Sequence, residues 1–121
     1  MYGLWNAGDL EATAEFMHDD IEYVNPDYAV EPGVRRGRAE VTDAIGGSLS
    51  TAFDSYEHEL HDVLDAGNDT VLVLLTFRAR GRDSGAQMEV AEQHVWTFRE
   101  GKATRLEWFH DEAAARRAAG L

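Results

Sequence analysis

The hydrophobic pattern changes period part-way along the chain. Up to about residue 53 apolar positions recur at spacings of three and four, and beyond it they alternate with polar ones, so helices are expected first and strands later. Tyr2 to Asn6 reads as a short helix, broken by Ala7-Gly8. Asp9 then serves as N-cap for a second helix over Leu10 to Met17, with Leu10, Ala14 and Met17 on its core face. Ile21 to Asn25 reads as a strand that Pro26 stops, because proline cannot donate to a ladder. Asp27 to Gly37 reads as a loop carrying Pro32-Gly33 and the basic cluster Arg35, Arg36 and Arg38. A third helix is expected from Arg38 to about Ala52, on the spacing of Val41, Ala44, Ile45, Leu49 and Ala52, with Gly46-Gly47 weakening it. Four strands follow: Ser55 to Asp65, Thr70 to Arg80, Gln87 to Arg99 and Ala103 to His110. The turn residues between them suit hairpins, which predicts an antiparallel meander. The Ala-rich tail from Asp111 to Leu121 predicts a turn or two of helix ending near Gly120.

Composition narrows the function classes. A length of 121 residues fits one domain, 1–121, of mixed α+β class. With 23 acidic residues against 11 Lys and Arg, the formal charge of -12 repels phosphate backbones and anionic lipid, so neither nucleic acid nor a membrane is an expected partner. No apolar run approaches the roughly 20 residues of a bilayer span, and Met1-Tyr2-Gly3-Leu4-Trp5 does not resemble a secretion signal, which predicts a cytoplasmic protein. The absence of cysteine removes thiolate chemistry and leaves carboxylates, imidazoles, tyrosines and hydroxyls for any catalysis.

The element order resembles the SnoaL-like and steroid isomerase branch of the nuclear transport factor two-like superfamily, and so do several local strings. Asn6-Ala7-Gly8-Asp9-Leu10 is similar to the family's helix kink, and Asp19-Asp20 followed by Val24-Asn25-Pro26 to its first strand. Gly37 stands where the third helix opens. His94 to Lys102 is similar to the penultimate hairpin, and Ala118-Ala119-Gly120-Leu121 to the C-terminus. The resemblance implies a cone-shaped, curved antiparallel sheet with three helices packed on its concave face, a pocket for a small hydrophobic molecule, and a homodimer. Apolar residues on both sheet faces, such as Leu72 and Leu74 opposite Val73 and Leu75, agree with the dimer.

If the concave face encloses a pocket, alternation selects its lining: Val90, Glu92, His94, Trp96 and Phe98 from one strand, Phe77 from its neighbour, and Trp108 and His110 from the last. Tyr23 and Asn25 join them from the first strand and Trp5 from the first helix. His94 is the first candidate for acid-base catalysis, because an imidazole can give or take a proton near neutral pH; otherwise it is a strand histidine paired with Glu92. Glu92 becomes a base if a dry pocket raises its pKa, and otherwise pairs with Arg78 or Arg99. Trp5, Phe77, Trp96 and Trp108 suit a flat polycyclic or terpenoid-like ligand, or form plain core. The resemblance also carries departures. The aspartate of the cyclases on the last strand falls on Trp108, and the base aspartate of the isomerases falls on Asn25. His58 and His61 differ in parity and make a poor metal pair, so neither metal nor cofactor is expected. The reading is therefore a pocket protein with cofactor-free isomerase, cyclase or dehydratase chemistry, and the alternative is a noncatalytic ligand-binding or dimerising module.

Overall fold

In the computed structural model, residues 2–7, 10–29 and 32–121 are described, except for the side chains of Leu4, Trp5, Leu10, Glu11, Ser48 and Ser50. Six strands form one sheet: β1 (Met17–Asn25), β2 (Gly33–Arg36), β3 (Phe53–Gly67), β4 (Thr70–Gly81), β5 (Gln87–Arg99) and β6 (Lys102–Phe109). Their order is β2-β1-β6-β5-β4-β3. The meander from β3 to β6 is antiparallel as expected, while β1 runs parallel to β6. The chain is thus α+β, with helices α1 (Tyr2–Asn6), α2 (Leu10–Thr13), α3 (Arg38–Ala52) and α4 (Glu112–Ala119).

Each sheet face has its own cover. On one, Val41, Ile45 and Leu49 of α3 pack on Val73, Leu75 and Phe77 of β4, Trp96 of β5 and Leu106 of β6. The strand residues among these are the ones that period-two alternation turns inward. Gly37 sets the start of α3: its φ of 92° suits glycine, and its N–H reaches the Ile21 carbonyl at 2.9 Å, tying helix to β1. On the other face Leu72 and Val95 lie under Ala115 and Ala119 of α4. Helix α4 is capped at both ends. The Asp111 carboxylate accepts from the N–H groups of Ala113 and Ala114, and Gly120 closes the helix in the left-handed conformation. The apolar outer residue Leu72 is therefore covered within the chain itself, which withdraws part of the local argument for a dimer.

Two sequence expectations need correction. The second helix does not reach Met17: it stops at Thr13, one 3₁₀ turn spans Ala14–Phe16, and Met17 opens β1. Met17 and Ile21, four residues apart, fit a helical stripe and also one face of a strand, and full burial of both on the sheet decides for the strand. The segment 27–37, expected as loop, contains β2, which pairs with β1 through Tyr23 opposite Arg35 and Val24 opposite Val34. One exposed apolar residue, Val34, leaves that edge strand without an alternating signal. The expected kink at Gly8 and cap at Asp9 lie outside the described residues. No described helix is long and apolar enough to cross a membrane.

Candidate functional site

A cavity of about 740 Å³ opens between α3, the β1–β2 pair and the α3-covered face of the sheet. Its wall is mostly apolar, with Ile45, Leu49, Phe53, Phe77, Val90, Leu106 and Trp108. Polar groups enter at three places, one of them α3 with Asp43 and Thr51. Tyr23, Asn25 and Arg35 come from the β1–β2 pair, and His58, Glu92, His94 and His110 come from the meander. Of the expected site residues, Tyr23, Asn25, Phe77, Glu92, His94, Trp108 and His110 stand on this wall. Trp96 does not: its indole is buried and its Nε1 donates to the Tyr2 hydroxyl at 2.8 Å. The side chain of Trp5 lies outside the described residues.

Strand register assembles the polar cluster. His94 lies opposite Trp108 across the β5–β6 ladder, so Glu92, two residues earlier on β5, meets His110 just past the end of β6. One Glu92 oxygen is 2.7 Å from His94 Nε2 and the other 2.9 Å from His110 Nε2. Behind His94, the Tyr2 hydroxyl lies 2.6 Å from Nδ1. A continuous chain therefore runs from Trp96 through Tyr2, His94 and Glu92 to His110.

The electrostatics overturn one expectation. Burial does act to raise the Glu92 carboxyl, but the hydrogen bonds from His110 and His94, together with the charge on those imidazoles, outweigh it and bring the pKa down to about 2. Glu92 is thus an anion that holds two imidazoles, and its proposed role as an elevated-pKa base is withdrawn. Nor does it pair with Arg78 or Arg99: Arg78 serves Glu59 and Glu89, and Arg99 reaches His18. Burial pushes the Tyr2 and Tyr23 phenols far above their ordinary range, with Glu92 adding to the push, so both stay protonated.

Asn25 and Trp108, where the resemblance led one to look for aspartates, bond to each other: Trp108 Nε1 donates to Asn25 Oδ1 at 2.6 Å. Neither can transfer a proton.

Sequence reasoning missed Tyr2 and His58. No periodicity in the first helix singled out Tyr2. His58 and His61 do point apart, since His58 is buried on the cavity wall and exposed His61 bonds Thr76. Asn6 pins His58: its amide accepts from the His58 N–H at 2.8 Å and donates to the His58 carbonyl at 3.1 Å. Burial, and then the neighbouring His94, push the His58 imidazole down to about 4.

The fold recurs among solved structures. TerC, co-crystallized with polyporic acid, is similar with a TM-score of 0.79 and 25% identity, over 99% of this chain and 92% of that one. An NTF2-like protein from Burkholderia thailandensis E264 is similar with a TM-score of 0.81 and 25% identity, over 99% and 91% of the two chains. Among curated proteins, the uncharacterized protein Rv0034 of Mycobacterium tuberculosis (strain ATCC 25618 / H37Rv) is 29% identical over 108 residues, 89% of this chain and 81% of that protein. The SnoaL-like domain pattern matches residues 1–106, which takes in α1 to β5 and most of β6 with every cavity residue named above except Trp108 and His110, and on this match the chain belongs to the SnoaL-like domain family.

Proposed function

We propose that this chain holds one small, largely apolar molecule in its cavity and carries out cofactor-free proton transfer on it, of the isomerase, cyclase or dehydratase kind. The observation that carries the reading is the combination in one wall: about 740 Å³ of mostly apolar space with the Glu92 carboxylate bridging two imidazoles. Pockets of this size and lining hold drug-sized molecules, and imidazoles and carboxylates are the groups that move protons. TerC, a protein of the same fold co-crystallized with polyporic acid, supports a small organic ligand.

Native mass spectrometry of the protein purified from its own host is expected to show one small molecule per chain. Incubation of the complex in D₂O is expected to exchange a ligand C–H. A protein that carries nothing and ignores a panel of hydrophobic compounds refutes the pocket. Binding without exchange favours the second reading, a noncatalytic binding module, for which the Asn25–Trp108 hydrogen bond speaks.

The same proposal takes the protein as a cytoplasmic homodimer assembled through the part of the sheet face opposite the cavity that α4 does not cover. Size-exclusion chromatography at micromolar concentration is expected to show twice the chain mass, and a monomer counts against the pairing.

A further inference from the structure

The hydrogen bonds around Glu92 have a direction, and it separates the two histidines. An ionised carboxylate only accepts, so each imidazole donates its Nε2–H to Glu92. A neutral imidazole then has a single lone pair, on Nδ1. In His94 that lone pair faces the Tyr2 hydroxyl at 2.6 Å, and Tyr2 must donate into it because the indole of Trp96, which has no acceptor, already donates to the Tyr2 oxygen. In His110 no hydrogen bond among the described residues reaches Nδ1; the neighbouring Tyr28 hydroxyl accepts the backbone N–H instead. Exposure agrees, since the His94 side chain is 5% exposed and that of His110 33%. Aromatic faces flank His110: Trp108 with ring centroids 5.0 Å apart, and Tyr28 stacked at 6.0 Å.

We propose that His110, rather than His94, is the catalytic proton acceptor of this cavity, its Nδ1 taking the proton of an acidic ring hydroxyl, phenol or enol, on a flat ligand seated against Trp108. The O–H bond breaks as the Nδ1–H bond forms, which leaves the electron pair on the ligand oxygen and an imidazolium held by the Glu92 carboxylate. The proton returns from the same nitrogen to a ring carbon conjugated with that oxygen: the Nδ1–H bond breaks as the C–H bond forms, and the oxygen's electron pair closes the C=O. His94 is a positioning residue: with Tyr2 and Trp96 behind it, it fixes the Glu92 oxygen that faces it, and Glu92 in turn fixes the His110 tautomer. This inference rests on the pocket reading above.

The test uses two ring compounds of nearly the same shape, 2-naphthol and 2-methoxynaphthalene, titrated into the full chain at pH 7.5. The wild type is expected to bind the naphthol about tenfold more tightly, the worth of one hydrogen bond of about 1.4 kcal/mol. His110→Gln is expected to abolish that preference. In the free protein, long-range ¹H–¹⁵N spectra are expected to show both histidines as Nε2–H tautomers, and naphthol to move the His110 Nδ1 resonance while leaving that of His94 in place. Equal affinities in the wild type overturn the proposal and spare the pocket. So does a preference that survives His110→Gln. A His110 tautomer protonated at Nδ1 overturns it without any ligand. If neither compound binds, the pocket reading fails and the proposal with it.

Discussion

Replacing Glu92 with glutamine is expected to cost the fold about 3 kcal/mol at pH 7.5. The ordinary carboxyl value of 4.5 falls to about 2 in the folded chain even though burial alone acts the other way. A drop of roughly 2.5 units corresponds to about 3 kcal/mol in favour of the folded, ionised state, at about 1.4 kcal/mol per unit. The carboxylate is 13% exposed, so little of this is screened by water. Glutamine of the same length keeps one acceptor and turns the other oxygen into an N–H₂ donor. That donor meets an imidazole N–H, and one histidine must change tautomer. If His94 changes, its Nδ1–H meets the hydroxyl that had been donating to it; if His110 changes, its Nδ1 becomes a donor and no hydrogen bond among the described residues is lost there. The first route loses a buried polar contact and the second exchanges two charge-assisted bonds for neutral ones. Urea unfolding reads the effect as a midpoint lower by about 1 to 3 M, using the usual slope for small proteins. A fall of less than about 0.5 kcal/mol would mean that the histidines hold their places without the bridge.

The local pattern made much of this site legible and left out what joins its parts. Alternation alone put Glu92 and His94 on one face of β5 and Trp108 and His110 on one face of the last strand, because a strand with a packed inner face has only one register that buries its large apolar residues. The expected ends of β4 and β5 fall within a residue of those observed. Trp96 shows the limit. Its parity was right, yet whether it lines a cavity or closes one depends on Tyr2, whose hydroxyl meets the indole from 94 positions away in the chain. No periodicity reports such a contact. The same holds for Glu92, whose pKa could be argued upward from burial or downward from partners until the partners were known. Strand β2 was invisible for a different reason. A short edge strand with an exposed valine and two arginines carries no hydrophobic period, and its place is set by the ladder that β1 offers it.

The acid limb of the stability curve is expected to carry a step belonging to His58. Its imidazole is buried beside His94 and its pKa falls from the ordinary 6.5 to about 4. Between those values the unfolded chain binds a proton that the folded chain refuses. Stability contributed by the neutral ring is therefore full above about pH 6.5 and is lost as pH falls toward 4. The loss reaches about 1 kcal/mol by pH 5.5 and about 3 kcal/mol below pH 4, from the same linkage. Glu92 acts with the same sign in a lower window: its contribution is full above about 4.5 and is lost as pH falls toward 2. The two steps separate in the difference between wild type and His58→Gln, since glutamine keeps an amide for Asn6 and cannot titrate. Urea midpoints at pH 7.5, 6.5 and 5.5 are expected to fall less in the variant than in the wild type, by about 1 kcal/mol across the range. Parallel curves would show that His58 takes up its proton in the folded chain as readily as in the unfolded one. That outcome would require water or a movable partner at the ring, and with it a wetter inner wall than one formed by Phe77 and Tyr2 around His58 implies. A step of the expected size would instead mark this part of the cavity as dry, and an apolar ligand would then displace little bound water on entering.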